Sequence, residues 1–578
     1  MRAVQPIVDA LEGGAAALLW SGRSPQDIDL DEDGEIRPML EVLRQALWRR
    51  LGIVLLSYSR ATGLVWDTPL VREARVYDAV QEVVQRFSLE VPDLDQFLRN
   101  LREFLRTPAG AWPDGRPMRF ALFLQFAEDL LPRDSAGRSD EEVRASEWVQ
   151  LLARSLAMRK SGHALVLYAP DEGMVDPRVR AVVSSVRLPQ PDRESKLQML
   201  RALRNLYPNA RWEAGLEDPS VAALTANTPH WGLMEVVERS HRRGQPVTAR
   251  ELIERRAADV LAISEGLLSA MEGETPFLAG RTVEHAWRIL RGIAEGLRRG
   301  DPRTPHNVLL AGAPGTGKTA LAARLAAEAN VNAYRIHSPK AGIVGETERR
   351  ARLLFEILAE WSPNIGFVDE VTEMLTTERP EHDLDAGASR AVIGALLAYL
   401  GDERRKGRTV FLGATNCPWR IADALRSRFI VVPVLMPVEE DYPAIVAALV
   451  RRVAGVDIPA DDPHVQAAAR VFYGKGASPR HILQALDHAC LYHGRLGPEE
   501  VEWAARDFCG DTGWASAAYS DLWAVRLTTS RAFFPWAESP RDYPYPDYLR
   551  GLVDPQTGEV DREGLDRKIE GLRPWARV

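Results

Sequence analysis

The sequence predicts an α/β fold, a parallel sheet with flanking helices followed by a helical lid, present twice and closed by an aromatic, proline-rich extension. Three observations predict it. Short apolar runs of strand length alternate with longer helical stretches. A glycine-rich turn, Gly312-Ala313-Pro314-Gly315-Thr316-Gly317-Lys318-Thr319, lies between one such strand and an Ala/Leu-rich helix. A pattern of acidic, arginine and apolar residues at 423–437 recurs, to within a residue, at 176–191.

The chain has 578 residues, too many for one core, so several domains are expected. Hydrophobic residues make up 46% and charged residues 27%, the balance of an ordinary soluble chain. The net charge of −8 argues against broad nucleic-acid binding, which needs a basic footprint. The 3 cysteines are scattered, which fits a reducing, cytoplasmic setting. No apolar run reaches the length of a membrane span, and residues 1–20 lack the basic start of a signal peptide. No membrane partner is expected.

In chain order, residues 1–213 read as an α/β domain without a phosphate loop. Ala15 to Trp20 reads as its first strand. Ser21-Gly22-Arg23-Ser24-Pro25-Gln26 follows where a phosphate loop would stand, with no Gly-Lys-[ST]. Phe120 to Phe126 is a second strand, near Glu128 and Asp129, and His163 to Ala169 a third. Arg178 and Arg180 parallel Arg426 and Arg428 of the later copy. Residues 214–271 read as a helical lid. Self-similarity of this kind predicts a degenerate first module that serves as a scaffold.

Residues 272–442 read as the active α/β domain. Glu272 to Gly280, with its glycines and Pro276, is the linker that opens it. Asn307 to Ala311 is a buried strand and Ala320 to Ala329 a helix, the setting that a G-x-x-x-x-G-K-[ST] loop requires. Its glycines let backbone N–H groups turn inward toward phosphates, and the helix N-terminus adds partial positive charge. Lys318 is placed to reach the β- and γ-phosphates, and Thr319 to hold Mg²⁺. The apolar strand Asn364 to Val368 ends in Asp369-Glu370, a Walker B pair: Asp369 for Mg²⁺, Glu370 as general base toward water. Thr409 to Thr415 is a further strand ending at Asn416, where a side-chain amide can position that water. Arg426 and Arg428 follow, a type of residue that stabilises charge on a transferring phosphoryl group. Gly476-Ala477-Ser478-Pro479-Arg480 opens a helix from which Arg480 can reach the same nucleotide.

This order of motifs resembles an AAA+ ATPase. The stretch Gly345-Glu346-Thr347-Glu348-Arg349-Arg350-Ala351-Arg352-Leu353-Leu354-Phe355 narrows the resemblance to the AAA branch that includes valosin-containing protein. The resemblance covers roughly residues 275–500. It implies ATP and Mg²⁺ as ligands, Asn416 as sensor 1, Arg428 and Arg426 as arginine fingers, Arg480 as sensor 2, and Gly280 near the adenine. It implies a homo-oligomeric ring, usually a hexamer, with pore-loop residues Ile343 and Val344 facing substrate polypeptide. The sequence departs from the pattern at Ile343, where the family often has an aromatic residue, at Thr372, where it often has an acidic one, and in a finger segment one residue short.

Residues 443–510 read as the second lid. Its His481, His488 and His493 read as core or surface histidines. Residues 511–578 form a tail dense in Trp, Tyr and Pro, read either as packing on a lid or as a partner-docking arm. The function expected from the whole is an ATP-driven ring that remodels, unfolds or disassembles a protein. A nucleotide-gated assembly factor for a larger complex is the alternative, and a DNA-directed motor a more distant one.

Overall fold

Strands that read as unbroken apolar runs, rather than as alternating patterns, belong in sheets covered on both faces. That is where a computed structural model of the chain places them. It describes residues 3–576 apart from 92, 113, 134–138, 272–277, 341–345, 376–382 and 511–512. The chain divides into two compact units, Met1–Leu252 and Ile253–Val578.

The first unit holds β1 (Ala17–Gly22), the small hairpin β2 (Ile28–Leu30) and β3 (Ile36–Pro38), β4 (Ile53–Ser59), β5 (Gly63–Val65), β6 (Arg119–Leu124), β7 (Ala164–Tyr168) and β8 (Ser184–Leu188). Its main sheet runs β5-β4-β6-β7-β1-β8, parallel except for β5 at the edge. The second unit holds β9 (Leu268–Ala270), β10 (Asn307–Ala311), β11 (Asn332–Ile336), β12 (Asn364–Val368), β13 (Thr409–Thr415) and β14 (Ile430–Pro433). Its sheet runs β9-β11-β12-β13-β10-β14, parallel except for β9. Counting only parallel strands, in chain order within each unit, both sheets stand in the order 2-3-4-1-5. The antiparallel edge strand flanks the second strand in both. It comes after that strand through a hairpin in one unit and precedes the whole sheet in the other.

The two strands that come after the first helices, β4 and β11, went unread in the sequence. The strands read at 15–20, 120–126 and 163–169 are β1, β6 and β7, but β6 stops at Leu124 and Phe126 takes a left-handed φ of 55°. Two expected boundaries shift. The three-residue β9 pairs with β11, and Val260, Leu267 and Leu268 are buried in the second core, so residues 253–271 belong there and not to the first lid. A three-residue strand is too short to read by periodicity. The first lid starts before residue 214, because the amphipathic helix Arg193–Leu206 buries Met199, Leu200 and Leu203 against Val221, Val236 and Val237.

The second lid is four helices, Tyr442–Ala454, Pro463–Gly474, Pro479–His493 and Pro498–Asp507, around Val446, Phe472, Ile482, Leu486 and Val501. The third has its start fixed locally. Ser478 caps it with His481 in a reciprocal box, Pro479 occupies the first turn, and Gly494 ends it in a left-handed conformation. The tail packs on the α/β domain. Its helix Trp514–Leu527 buries Ala518, Tyr519, Leu522 and Val525 in the same core as Phe429, Val431 and Leu435 of the α/β domain. Trp536 is fully buried, stacked on Phe534, with its indole N–H donating to Gly558 O at 3.1 Å.

Candidate functional site

The chain leaves β10 at its carboxyl end and turns at once through the glycine-rich loop into the helix Lys318–Ala329. Ligands bind parallel α/β sheets at this end of the strands. The loop's first glycine is forced by space as well as by φ. At Gly312 (φ 151°) a Cβ would lie 2.2 Å from Val434 O. Gly315 meets the lid: a Cβ there would lie 2.6 Å from Ser478 Oγ and 3.0 Å from the Arg480 Cβ.

Between α/β domain and lid lies a cavity of about 250 Å³. The α/β side contributes Gly315, Thr316, Gly317, Lys318, Thr319, Asp369 and Asn416, and the lid contributes Pro479 and Arg480. Its apolar lining includes Leu278, Ala279, Val283, Ile445 and Leu449. Gly280 stands beside Ile445 as N-cap of the next helix, with the N–H of Arg281 donating to Asp441 at 3.1 Å. Gly312 and Ala313 are buried behind the loop, and Pro314 is exposed on its outer side.

Lys318 is buried, and its ammonium donates to Gly312 O at 2.8 Å and Ala313 O at 2.7 Å. Burial pulls its pKa down to about 8, against the pull of Asp521, Glu370 and Asp369. The Thr319 hydroxyl donates to Asp369 Oδ2 at 3.3 Å, and Arg335 approaches the same oxygen at 3.4 Å. Hydroxyl and carboxylate thus meet at the cavity wall, oxygen donors of the hardness Mg²⁺ takes.

Glu370 has a left-handed φ of 58°. Its carboxylate accepts from the Thr415 hydroxyl at 2.7 Å, from the Asn416 N–H at 2.8 Å and from the Thr372 hydroxyl. Thr372, where an acidic residue was expected, is therefore a buried partner of Glu370. The Asn416 amide oxygen has no protein partner among the described residues.

Arg426 and Arg428 do not line the cavity of their own chain. Arg426 is partly buried, paired with Asp423 at 2.8 Å and set over the Trp523 ring at 5.9 Å. Arg428 is exposed, one guanidinium nitrogen donating to Ala424 O at 2.6 Å. Ile343 and Val344 lie outside the described residues.

One contributor had no signal in the sequence. Asp521, in the tail helix, accepts from the Ala313 N–H at 2.9 Å. A single aspartate among apolar residues gave no periodic or motif cue.

In the first unit a buried arginine follows the first strand. Gly22 (φ 85°) ends β1, and a Cβ there would lie 2.4 Å from Leu188 O, as at Gly312 beside Val434. Arg23 comes next, 1% exposed, donating to Asp27 Oδ2, Asp29 Oδ2 and Ile28 O, each at 2.6 Å. Asp27 also accepts from the Trp231 N–H of the lid at 3.0 Å.

Comparison with known proteins agrees with the geometry of the second unit. Residues 308–434 match the family "ATPase family associated with various cellular activities (AAA)". The chain is 42% identical over 124 residues to ATPase family gene 2 protein of Schizosaccharomyces pombe, covering 21% of this chain and 15% of that protein. It is 37% identical over 158 residues to spastin of Xenopus laevis, 26% of each. It is 38% identical over 131 residues to vacuolar protein sorting-associated protein 4A of Homo sapiens, 22% of this chain and 30% of that one. The chain thus spans between 15% and 30% of the length of these relatives. On the loop, the strands around it and these matches, the second unit contains an AAA ATPase domain homologous to those of spastin and vacuolar protein sorting-associated protein 4A.

Proposed function

We propose that this chain is an ATP-hydrolysing ring ATPase that remodels, unfolds or disassembles a protein substrate. The observation that carries the reading is convergence: loop, Asp369, Asn416 and lid arginine Arg480 meet at one cavity that is lined by apolar side chains as well as polar ones, as a base and its phosphates require.

Phosphate oxygens would take over the Lys318 ammonium from the carbonyls of Gly312 and Ala313. Thr319 and Asp369 would hold Mg²⁺, which draws negative charge off the triphosphate when bound. Water, oriented by Asn416, attacks the γ-phosphorus as the bond to the β–γ bridging oxygen breaks, and Glu370 takes the water's proton. Glu370 must first give up part of its hold on Thr415, Thr372 and Asn416, so its release gates the step. Arg480, carried by the lid, couples lid position to the nucleotide. Arg428 is exposed and outside its own cavity, which supports its use in trans, at the cavity of a neighbouring copy. That requirement is the physical argument for a closed ring, a hexamer by resemblance. The first unit, with Arg23 buried after its first strand, is proposed to be a degenerate module of the same kind that helps assembly without binding nucleotide.

The deciding measurement is native mass spectrometry of Glu370→Gln with and without ATP. A six-subunit assembly that depends on ATP is expected. Monomer under both conditions removes the ring reading. The first unit, with its buried Arg23, also favours a second reading, an assembly factor switched by nucleotide without threading. Its signature is ATP-dependent assembly with full activity after Ile343→Ala.

A further inference from the structure

We infer that the carboxyl-terminal tail is a working part of the nucleotide site, with Asp521 a positioning residue for the phosphate loop; this rests on the reading that residues 312–319 bind ATP. The tail helix Trp514–Leu527 touches three separate parts of the site within four residues. The Ser520 hydroxyl donates to Asn416 O at 2.7 Å. Asp521 accepts from the Ala313 N–H. The Trp523 ring lies under Arg426.

Asp521 is fully buried, and among the described residues its carboxylate has no arginine or lysine bonded to it. One oxygen takes the Ala313 N–H, the other the Met436 N–H at 2.8 Å and the Tyr548 hydroxyl at 2.5 Å. Three donors from three segments therefore converge on one side chain. Burial raises its pKa to about 6, and these donors with Lys318 oppose the rise. A buried carboxylate is costly to keep unless its donors stay in place, so it holds them in place.

The link to chemistry runs through one peptide plane. The Gly312–Ala313 peptide offers its N–H to Asp521 and its C=O to the Lys318 ammonium. Tilting that plane moves both partners together. The tail thereby sets the start of the loop and the resting place of its lysine, and the sensor and finger segments are fixed from the same helix. Reciprocity is a consequence: nucleotide that orders the loop must also order the tail helix.

The test is ATP affinity of Asp521→Asn, measured with a fluorescent ATP analogue, together with kcat and KM. The amide presents N–H where a carboxylate oxygen accepted, leaving one buried donor unpaired. Affinity should weaken about tenfold or more, with KM moving more than kcat. Ile569→Ala, which loosens tail packing away from the loop, serves as the control and should leave affinity within about twofold at a similar loss of thermal stability. Folded Asp521→Asn with unchanged affinity overturns the inference, as does equal weakening in the control. Should Asp521→Asn fail to fold, hydrogen exchange of the full wild-type chain decides. ATP should protect 514–527 along with the loop, and protection of the loop alone overturns the inference. A wild-type chain that binds no ATP removes the nucleotide-site reading itself, and this inference with it.

Discussion

Glu370 and the arginines set the predictions that belong to single residues. Glu370→Gln keeps the shape of the side chain and removes its basicity. Hydrolysis should fall by at least about a hundredfold with ATP still bound, checked by steady-state phosphate release beside equilibrium binding. Arg428→Ala should lower kcat by about a thousandfold with little change in nucleotide affinity, since in the proposed ring the charge acts on a neighbour's γ-phosphate. Arg426→Ala should cost activity less than Arg428→Ala, because Arg426 is already engaged by Asp423 and Trp523. Equal losses in the two variants would reverse that assignment. His163 supplies the pH prediction. It is buried under Phe104, its Nδ1 accepts from the Phe120 N–H at 3.1 Å, and its Nε2 pairs with Thr107 O at 3.1 Å. Burial holds its pKa down to about 4 against an ordinary 6.5. The folded unit therefore keeps this imidazole neutral while the unfolded chain protonates it below pH 6.5. The stability it confers is complete above that pH and is lost as pH falls toward about 4, by about 3 kcal/mol in all. Urea unfolding followed by tryptophan fluorescence should show that slope in wild type and a shallower one in His163→Gln.

Elements carry a different kind of prediction, because backbone proximity decides it. The phosphate loop is pinned on one side by the end of β14 and on the other by the lid. Gly312→Ala puts a methyl 2.2 Å from Val434 O, and no side-chain rotation relieves a clash between backbone and Cβ. ATP binding should be lost and thermal stability lowered, read by calorimetry and nucleotide titration; a variant with wild-type affinity would show that the loop can shift away from β14. The strand–loop–helix of residues 307–329 was legible from spacing, because each glycine and the lysine serve a purely local geometry. The lid helix at Pro479 was legible for the same reason: Ser478, Pro479 and Gly494 are local start and stop signals. The role of Thr372 was not. It looked like a departure from a pattern, and only the fold shows its hydroxyl on Glu370 and near Thr415.

At the scale of the whole molecule, the two sheets share an order of parallel strands and diverge just past the first of them. In the second unit β10 runs into a phosphate loop, whereas in the first β1 runs into Arg23, held between Asp27 and Asp29. The expected stoichiometry is one ATP per chain. Isothermal titration of Glu370→Gln checks it, and two sites per chain would place nucleotide in the first unit after all. Among the described residues no helix is long and apolar enough to cross a membrane.

The sequence by itself determined the glycine-rich turn between strand and helix at 307–329, the acidic pair Asp369 and Glu370 at a strand end, and the helical lid behind them. Each of these depends on residues a few positions apart, and local geometry writes directly into spacing. It also supplied the likeness between 176–191 and 423–437, each of which holds a short helix followed by a strand. Tertiary structure alone decided that residues 268–270 add an edge strand to the second sheet, that Arg23 is buried between Asp27 and Asp29 after the first strand, that Arg428 is exposed, and that the tail reaches the loop through Asp521. Those outcomes join residues up to 208 positions apart in sequence. Nothing in the neighbourhood of either partner specifies the other; packing of the whole second unit brings a buried carboxylate to the backbone N–H groups of Ala313 and Met436.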